Sequence, residues 1–191
     1  DAAYTEIYFK GSAPPSSYYA LSDGHGVIKM CSFSKIIATG LRCGWIQARE
    51  EFADPLTKVR FDMGSSPLMH YVLEDLIKSG KLDTHVDSMR ILYEKKCKSL
   101  VNSLLEHCSP YVELSEPQGG YFLWVKSKTV RSDILVQSAA EEGLIFPTGS
   151  VFFVDKSLDK FHFRLAFPRA TFEHLSKAGE RLHNAFERAL D

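Results

Sequence analysis

An α/β fold is predicted for this chain of 191 residues, and two observations predict it. Short, β-rich apolar runs bounded by glycine, proline or aspartate alternate along the sequence with stretches whose apolar residues recur at helical spacing. One of those stretches is long, running from Asp83 toward Cys108, and the runs that follow it are short, which is the order of a sheet covered by helices.

Taken in order, Ala13 to Ser17 is a breaker-rich loop after Tyr8 and Phe9, and Asp23 to Gly26 is a turn. Val27 to Cys31 then reads as a mostly buried strand, and Cys43 to Ala48 starts another. Gly40 and Gly44 bracket Arg42, so a tight backbone turn is expected there. Helical patterns cover Glu50 to Met63 and Pro67 to Lys78, the latter grouping Leu68, Tyr71, Val72 and Leu76 on one face. Gly80 punctuates, and Asp83 serves as N-cap of the long helix, whose apolar side carries Val86, Leu92, Tyr93, Cys97, Leu100, Val101, Leu104 and Leu105. Val112 to Leu114 and Gly120 to Val125 read as strands, and a helix is expected near Ser132 to Glu142. A last helix runs from Thr171 to Ala189, with Phe172, Leu175, Leu182 and Phe186 as its buried stripe. The expected organisation is two parts, residues 1–80 and residues 81–191.

Composition narrows the classes. With 23 basic and 24 acidic residues and a formal charge of −1, the chain has no basic excess and no long Lys/Arg run, so direct nucleic-acid contact is not expected. No apolar run is long enough to span a membrane, and the apolar share of 45% suits a protein with a substantial core. Cys31, Cys43, Cys97 and Cys108 form no Cys-x-x-Cys pair and read as reduced packing residues of an intracellular protein. The seven histidines are scattered, so no metal site is expected.

Chemistry concentrates between Ser32 and Trp45, in the run Ser-Phe-Ser-Lys-Ile-Ile-Ala-Thr-Gly-Leu-Arg-Cys-Gly-Trp. Taken alone, a lysine is most often a solvated surface charge. Lys35, however, follows a strand at its C-terminal end, where open α/β sheets bind ligands, and stands among hydroxyls with Arg42 close behind. An amine can hold an aldehyde as a Schiff base, while Ser32, Ser34 and Arg42 can bind a phosphate. The run resembles the Ser-Phe-Ser-Lys and Gly-Leu-Arg-x-Gly-Trp segments of the fold-type I pyridoxal-phosphate-dependent aminotransferases, class I/II.

Further segments carry the same resemblance in the same order. Asp1-Ala2-Ala3-Tyr4 is similar to the family's Asp-x-x-Tyr, which implies Asp1 at the pyridine nitrogen and Tyr4 at the ring oxygen of the cofactor. A carboxylate there keeps the ring protonated and able to accept electrons. Phe161 to Phe167 alternates like a half-buried strand, with Phe161, Phe163, Leu165 and Phe167 on one face and His162, Arg164 and Ala166 on the other. A mid-strand guanidinium among apolar residues needs an anion, and a salt bridge to an Asp or Glu would supply one. The resemblance implies instead that Arg164 clamps the substrate's α-carboxylate. Pro117 to Trp124 resembles the family's Pro-x-Gly-Gly-x-Phe-x-Trp segment, and Glu142 to Gly149 resembles Gly-Val-x-x-Pro-Gly, with Thr148 inserted before Gly149.

The resemblance implies the C-terminal part of the cofactor-binding large domain, with a mixed, mostly parallel sheet, in residues 1–80, and a linking helix plus small α+β domain in residues 81–191. In that family a long stretch precedes the aspartate and supplies phosphate-binding amides, a stacking aromatic and an asparagine partner for Tyr4, so the chain is expected to be a fragment, inactive by itself. The implied cofactor is pyridoxal 5′-phosphate, and the implied activity is transfer of an amino group between a 2-amino acid and a 2-oxo acid through a Lys35 Schiff base. A homodimer is implied, and a cytoplasmic location is expected with organellar targeting left open. The pairing of Asp-x-x-Tyr-x-Glu-Ile-Tyr-Phe with Gly80-Lys81-Leu82-Asp83-x-His85 is most similar to the aminoadipate, kynurenine or branched-chain type. Three alternatives share the scaffold: a lyase or decarboxylase, the sensor domain of a transcription regulator, and an inactive remnant kept for dimerisation.

Overall fold

In the computed structural model the described residues are 2–9, 11, 13–59 and 64–191. Asp1, assigned above to the pyridine nitrogen, lies outside them. The chain divides within its long helix into two units, residues 1–91 and 92–191.

The first unit opens with a stretch pinned to the strand that follows, Ala2 N–H donating to Met30 O at 2.8 Å. Ile7 and Phe9 are buried, and helix α1 (Tyr18–Leu21) is capped by Ser17, whose side chain accepts from Ala20 N–H. Strand β1 (Lys29–Ser32) pairs antiparallel with β2 (Gly44–Gln47), setting Ser32 opposite Gly44 and Met30 opposite Ile46. The expectation of a mostly buried strand is corrected here. Met30 and Ile46 are each about half exposed, at 50% and 52%, because among the described residues this sheet has two strands and its apolar side chains are left uncovered.

The helix expected from Glu50 to Met63 is instead a 3-10 turn (Glu50–Phe52) running into α2 (Ala53–Lys58); residues 60–63 lie outside the described residues. Pro55 has no N–H to offer the Glu51 carbonyl, so an α-helical ladder cannot run through the whole segment. Helix α3 (Pro67–Lys78) has the expected bounds, with proline in its first turn. Its buried residue is Leu73, whereas Leu68, Tyr71 and Val72 are exposed, so the predicted apolar face is not the one that packs. Gly80, with φ of +70°, ends that helix, and α4 (Lys81–Cys108) starts directly after it, two residues before the expected cap.

The second unit is a three-stranded antiparallel sheet in the order β3 (Val112–Leu114), β4 (Phe122–Ser127), β5 (His162–Ala166). Leu123, Val125 and Phe163 are fully buried on one face of the sheet. Helix α5 (Ser132–Glu141) and the C-terminal part of α4 complete the core with Leu135, Ala139, Cys97, Leu100, Val101 and Leu104. Burial pushes the Cys97 and Cys108 thiols up to about 12, so both stay protonated and inert.

The single last helix expected from Thr171 is broken at Lys177 into α6 (Phe172–Ser176) and α7 (Ala178–Leu190). Ser103 of α4 explains the break. Its hydroxyl donates to Ser176 O at 2.7 Å and accepts from Gly179 N–H at 2.9 Å, satisfying backbone groups that a continuous helix would pair internally. A Cβ at position 179 would stand 2.8 Å from Ser103 Oγ, so glycine permits this approach.

Every strand pairing among the described residues is antiparallel. The parallel pairings implied for a large-domain sheet are therefore not among them. No helix of the described residues is long and apolar enough to cross a membrane.

Candidate active site

Lys35 sits in the turn that leaves β1, closed by Ile36 N–H and Ile37 N–H donating to Phe33 O at 3.3 and 2.9 Å. This is the position past a strand's C-terminal end that the sequence indicates. Two contacts fix the turn. Ile36 is buried and its carbonyl lies 2.9 Å from His85 Nε2 on α4, while Phe33 packs on Trp45 of β2 with ring centroids 4.9 Å apart. A largely apolar cavity at the turn is lined by Phe33, Ile36, Trp45, Leu82 and Val86 together with Asp83, Asp87 and Arg90.

The structure brings Tyr4 to Lys35: Nζ lies 5.8 Å from the centroid of the Tyr4 ring. Two segments some thirty residues apart in sequence thus meet, because Ala2 is hydrogen-bonded to the middle of β1. The serines also form one group. Ser34 N–H donates to Ser32 Oγ at 3.1 Å, and Ser32 Oγ lies 3.5 Å from Cys43 O, beyond the usual hydroxyl hydrogen-bond range. Ser32 thus uses an acceptor lone pair to shape the turn.

The tight turn expected from Gly40 and Gly44 is carried by Arg42 itself, which is left-handed with φ of 51°. This is an uncommon conformation for a residue with a Cβ, and such residues cluster at ligand sites. The turn is held by Cys43, which is buried and whose thiol donates to Leu41 O at 3.3 Å. Gly44 acts through space rather than dihedral freedom: a Cβ there would stand 2.6 Å from Cys31 O, so glycine lets β2 close on β1 beside Ser32.

Arg164 belongs to the second unit, at the centre of β5 and directly opposite Trp124 of β4. Its Nε is buried with no hydrogen-bond partner, and among the described residues no carboxylate forms an ion pair with it. The guanidinium lies instead over two aromatic rings, its Cζ 3.8 Å from the Phe122 centroid and 4.2 Å from that of Phe152. The salt bridge that sequence alone would favour is thus not present among the described residues. Phe152 was not singled out by sequence, since it comes from a 3-10 turn (Gly149–Phe152) whose seat on β5 depends on tertiary packing.

That seat explains the inserted Thr148. Thr148 bridges to Phe163, and Gly149 lies so close to β5 that a Cβ would stand 2.6 Å from His162 Cβ. Asp159 is buried nearby, and its Oδ1 lies 2.6 Å from His162 Nδ1 and accepts from His162 N–H and Phe161 N–H. Burial alone would raise the Asp159 pKa, but the hydrogen bonds from His162 and Phe161 outweigh it and hold this carboxyl below the usual carboxylate range. Among the described residues no group of three or more His, Cys, Asp or Glu is placed to hold a metal ion.

Residues 1–182 match the family described as aminotransferase class I and II, and the chain belongs to that family. It is 28% identical, over its whole length, to an uncharacterized aminotransferase of Saccharolobus solfataricus, covering 48% of that protein. It is also 28% identical over its whole length to the 2-aminoadipate transaminase of Thermus thermophilus, covering 49% of it. An HTH-type transcriptional regulator of Staphylococcus aureus, NorG, is 34% identical over 131 residues, which are 67% of this chain and 29% of the regulator.

Among solved structures, the α-aminoadipate aminotransferase LysN of Thermus thermophilus, complexed with N-(5′-phosphopyridoxyl)-L-leucine, superposes with a TM-score of 0.86 at 26% identity, over 98% of this chain and 49% of that one. The kynurenine aminotransferase of Pyrococcus horikoshii shares the fold with a TM-score of 0.90 at 24% identity, over 99% of this chain and 47% of that one. The fold is that of the fold-type I transferases. The chain spans about half the length of the aminotransferases it matches.

Proposed function

We propose that the protein carrying this chain is a pyridoxal-phosphate-dependent aminotransferase that moves an amino group between a 2-amino acid and a 2-oxo acid. The observation that carries the reading is the contact of the Lys35 amine with the Tyr4 ring, in a chain of the aminotransferase class I and II family. The donor set suits the cofactor: an amine for its aldehyde, a phenol for its ring oxygen, and the Ser32 and Ser34 hydroxyls with the Arg42 guanidinium for its phosphate.

When bound, pyridoxal phosphate supplies a sink for the electron pair released at the substrate Cα. Lys35 Nζ would hold the cofactor's aldehyde and, as a free amine, would accept the proton from the substrate Cα. Asp1 is assigned to the pyridine nitrogen, Tyr4 to the ring oxygen, and Arg164 to the substrate's α-carboxylate, where its unpaired Nε favours an incoming anion. The aminoadipate and kynurenine specificities of the relatives make acidic and aromatic amino acids the first substrates to try. The intact protein is assigned as a homodimer, and the 191-residue chain by itself as inactive.

The test is amine transfer from a panel of amino acids to a 2-oxo acid by the complete gene product, beside its Lys35→Ala variant. Transfer that disappears in the variant supports the reading, and equal transfer by both contradicts it. A second reading is supported by the relative NorG: an aminotransferase-like sensor within a transcription regulator. It predicts a DNA-binding segment in the same gene and ligand-dependent DNA binding without turnover.

A further inference from the structure

A guanidinium is a plane with two faces and an edge of N–H donors, and a carboxylate can be gripped in the bidentate mode only along that edge. In the second unit the Arg164 guanidinium lies over two aromatic rings. Phe122 comes from the start of β4, and Phe152 from the 3-10 turn seated on β5 by Gly149. Their centroids lie 3.8 and 4.2 Å from Arg164 Cζ, well within the range of a cation over a π-face.

Phe152 is itself buttressed. Trp124 meets it edge to face with centroids 5.7 Å apart, and the His162 ring stacks on Trp124 at 5.4 Å and 16°. His162 is anchored in turn by the buried Asp159. Trp124 and Phe152 remain 38% and 44% exposed, so this aromatic cluster reaches solvent.

We propose that Phe122 and Phe152 are positioning residues that clamp the Arg164 guanidinium plane, presenting its N–H edge to the carboxylate of an amino-acid substrate; this rests on the assignment of Arg164 above. The rings supply π-faces that hold the cation without neutralising it. A carboxylate partner would pair with Arg164 and compete with the substrate, and the rings do not. This accounts for a strand-centre guanidinium whose Nε has no hydrogen-bond partner.

The experiment uses the complete gene product with its cofactor and measures the amino-acid half-reaction, separating apparent substrate Kd from the limiting rate. Phe152→Ala and Phe122→Leu are each expected to raise the substrate Kd about tenfold while cofactor affinity and Tm stay near wild type. Phe152→Tyr, which keeps the π-face, is expected to restore the wild-type Kd, and Phe152→Leu is not. The clamp is overturned if Phe152→Ala and Phe122→Leu leave Kd unchanged, if leucine rescues as well as tyrosine at position 152, or if Tm and cofactor affinity fall in step with Kd. Arg164→Ala, run alongside, separates the two assignments. Loss of substrate affinity there with no effect of the phenylalanine variants removes the clamp alone, and unchanged affinity there removes the carboxylate assignment with it.

Discussion

Arg164 stands directly across the β4–β5 ladder from Trp124, yet its guanidinium lies against the rings of Phe122 and Phe152. Among the described residues such a group has no counter-ion to lose when a carboxylate arrives. Arg164→Lys keeps the charge but removes the fork, so apparent affinity for amino-acid substrates should fall by about 1.5–3 kcal/mol, the usual worth of a hydrogen bond to a charged group. Steady-state kinetics on the complete gene product checks this, with cofactor binding expected to be unaffected.

The period-2 alternation from Phe161 to Phe167 was sufficient to put Arg164 on the polar face of a strand, because side chains on a strand alternate whatever packs against them. Pro67 at a helix start and Gly80 after its end likewise fixed α3 to the residue. What sequence could not show depends on distant partners. The break at Lys177 is set by Ser103 of α4, and Phe152 reaches Arg164 only because Gly149 lies against His162. The glycines around Arg42 pointed to the turn, and the left-handed backbone within it is Arg42's own. Apolar β-runs such as Val27 to Cys31 report what is fit for burial, and whether a layer covers them is decided elsewhere.

Ser103 couples α4 to both halves of the C-terminal helix pair, and it is buried. Ser103→Ala would leave Ser176 O and Gly179 N–H without their side-chain partner and should cost about 1–3 kcal/mol of stability. A shift of the urea midpoint to lower concentration at an unchanged m-value is the expected outcome.

Asp159 gives the second unit a defined acid response. An ionised carboxylate only accepts, so His162 Nδ1 is the donor in their 2.6 Å bond. The Asp159 pKa is lowered from 3.8 in the folded state, so the unfolded chain takes up its proton first as pH falls. The stabilisation is therefore present above pH 3.8 and is lost as pH drops through the folded-state value. Asp159→Asn should be less stable than wild type near neutrality and should lose less on acidification below that point. Denaturant melts across the acid range measure this, and parallel pH profiles for the two proteins would contradict it.

The central claim is that Lys35, beside Tyr4 on the turn after β1, is the amine that holds the cofactor. Borohydride reduction of the complete gene product loaded with pyridoxal phosphate, followed by peptide mass mapping, tests it most directly. The account predicts a pyridoxyl adduct on Lys35 and on no other lysine of this chain. An adduct on Lys29 or Lys58, or none on Lys35, would contradict it.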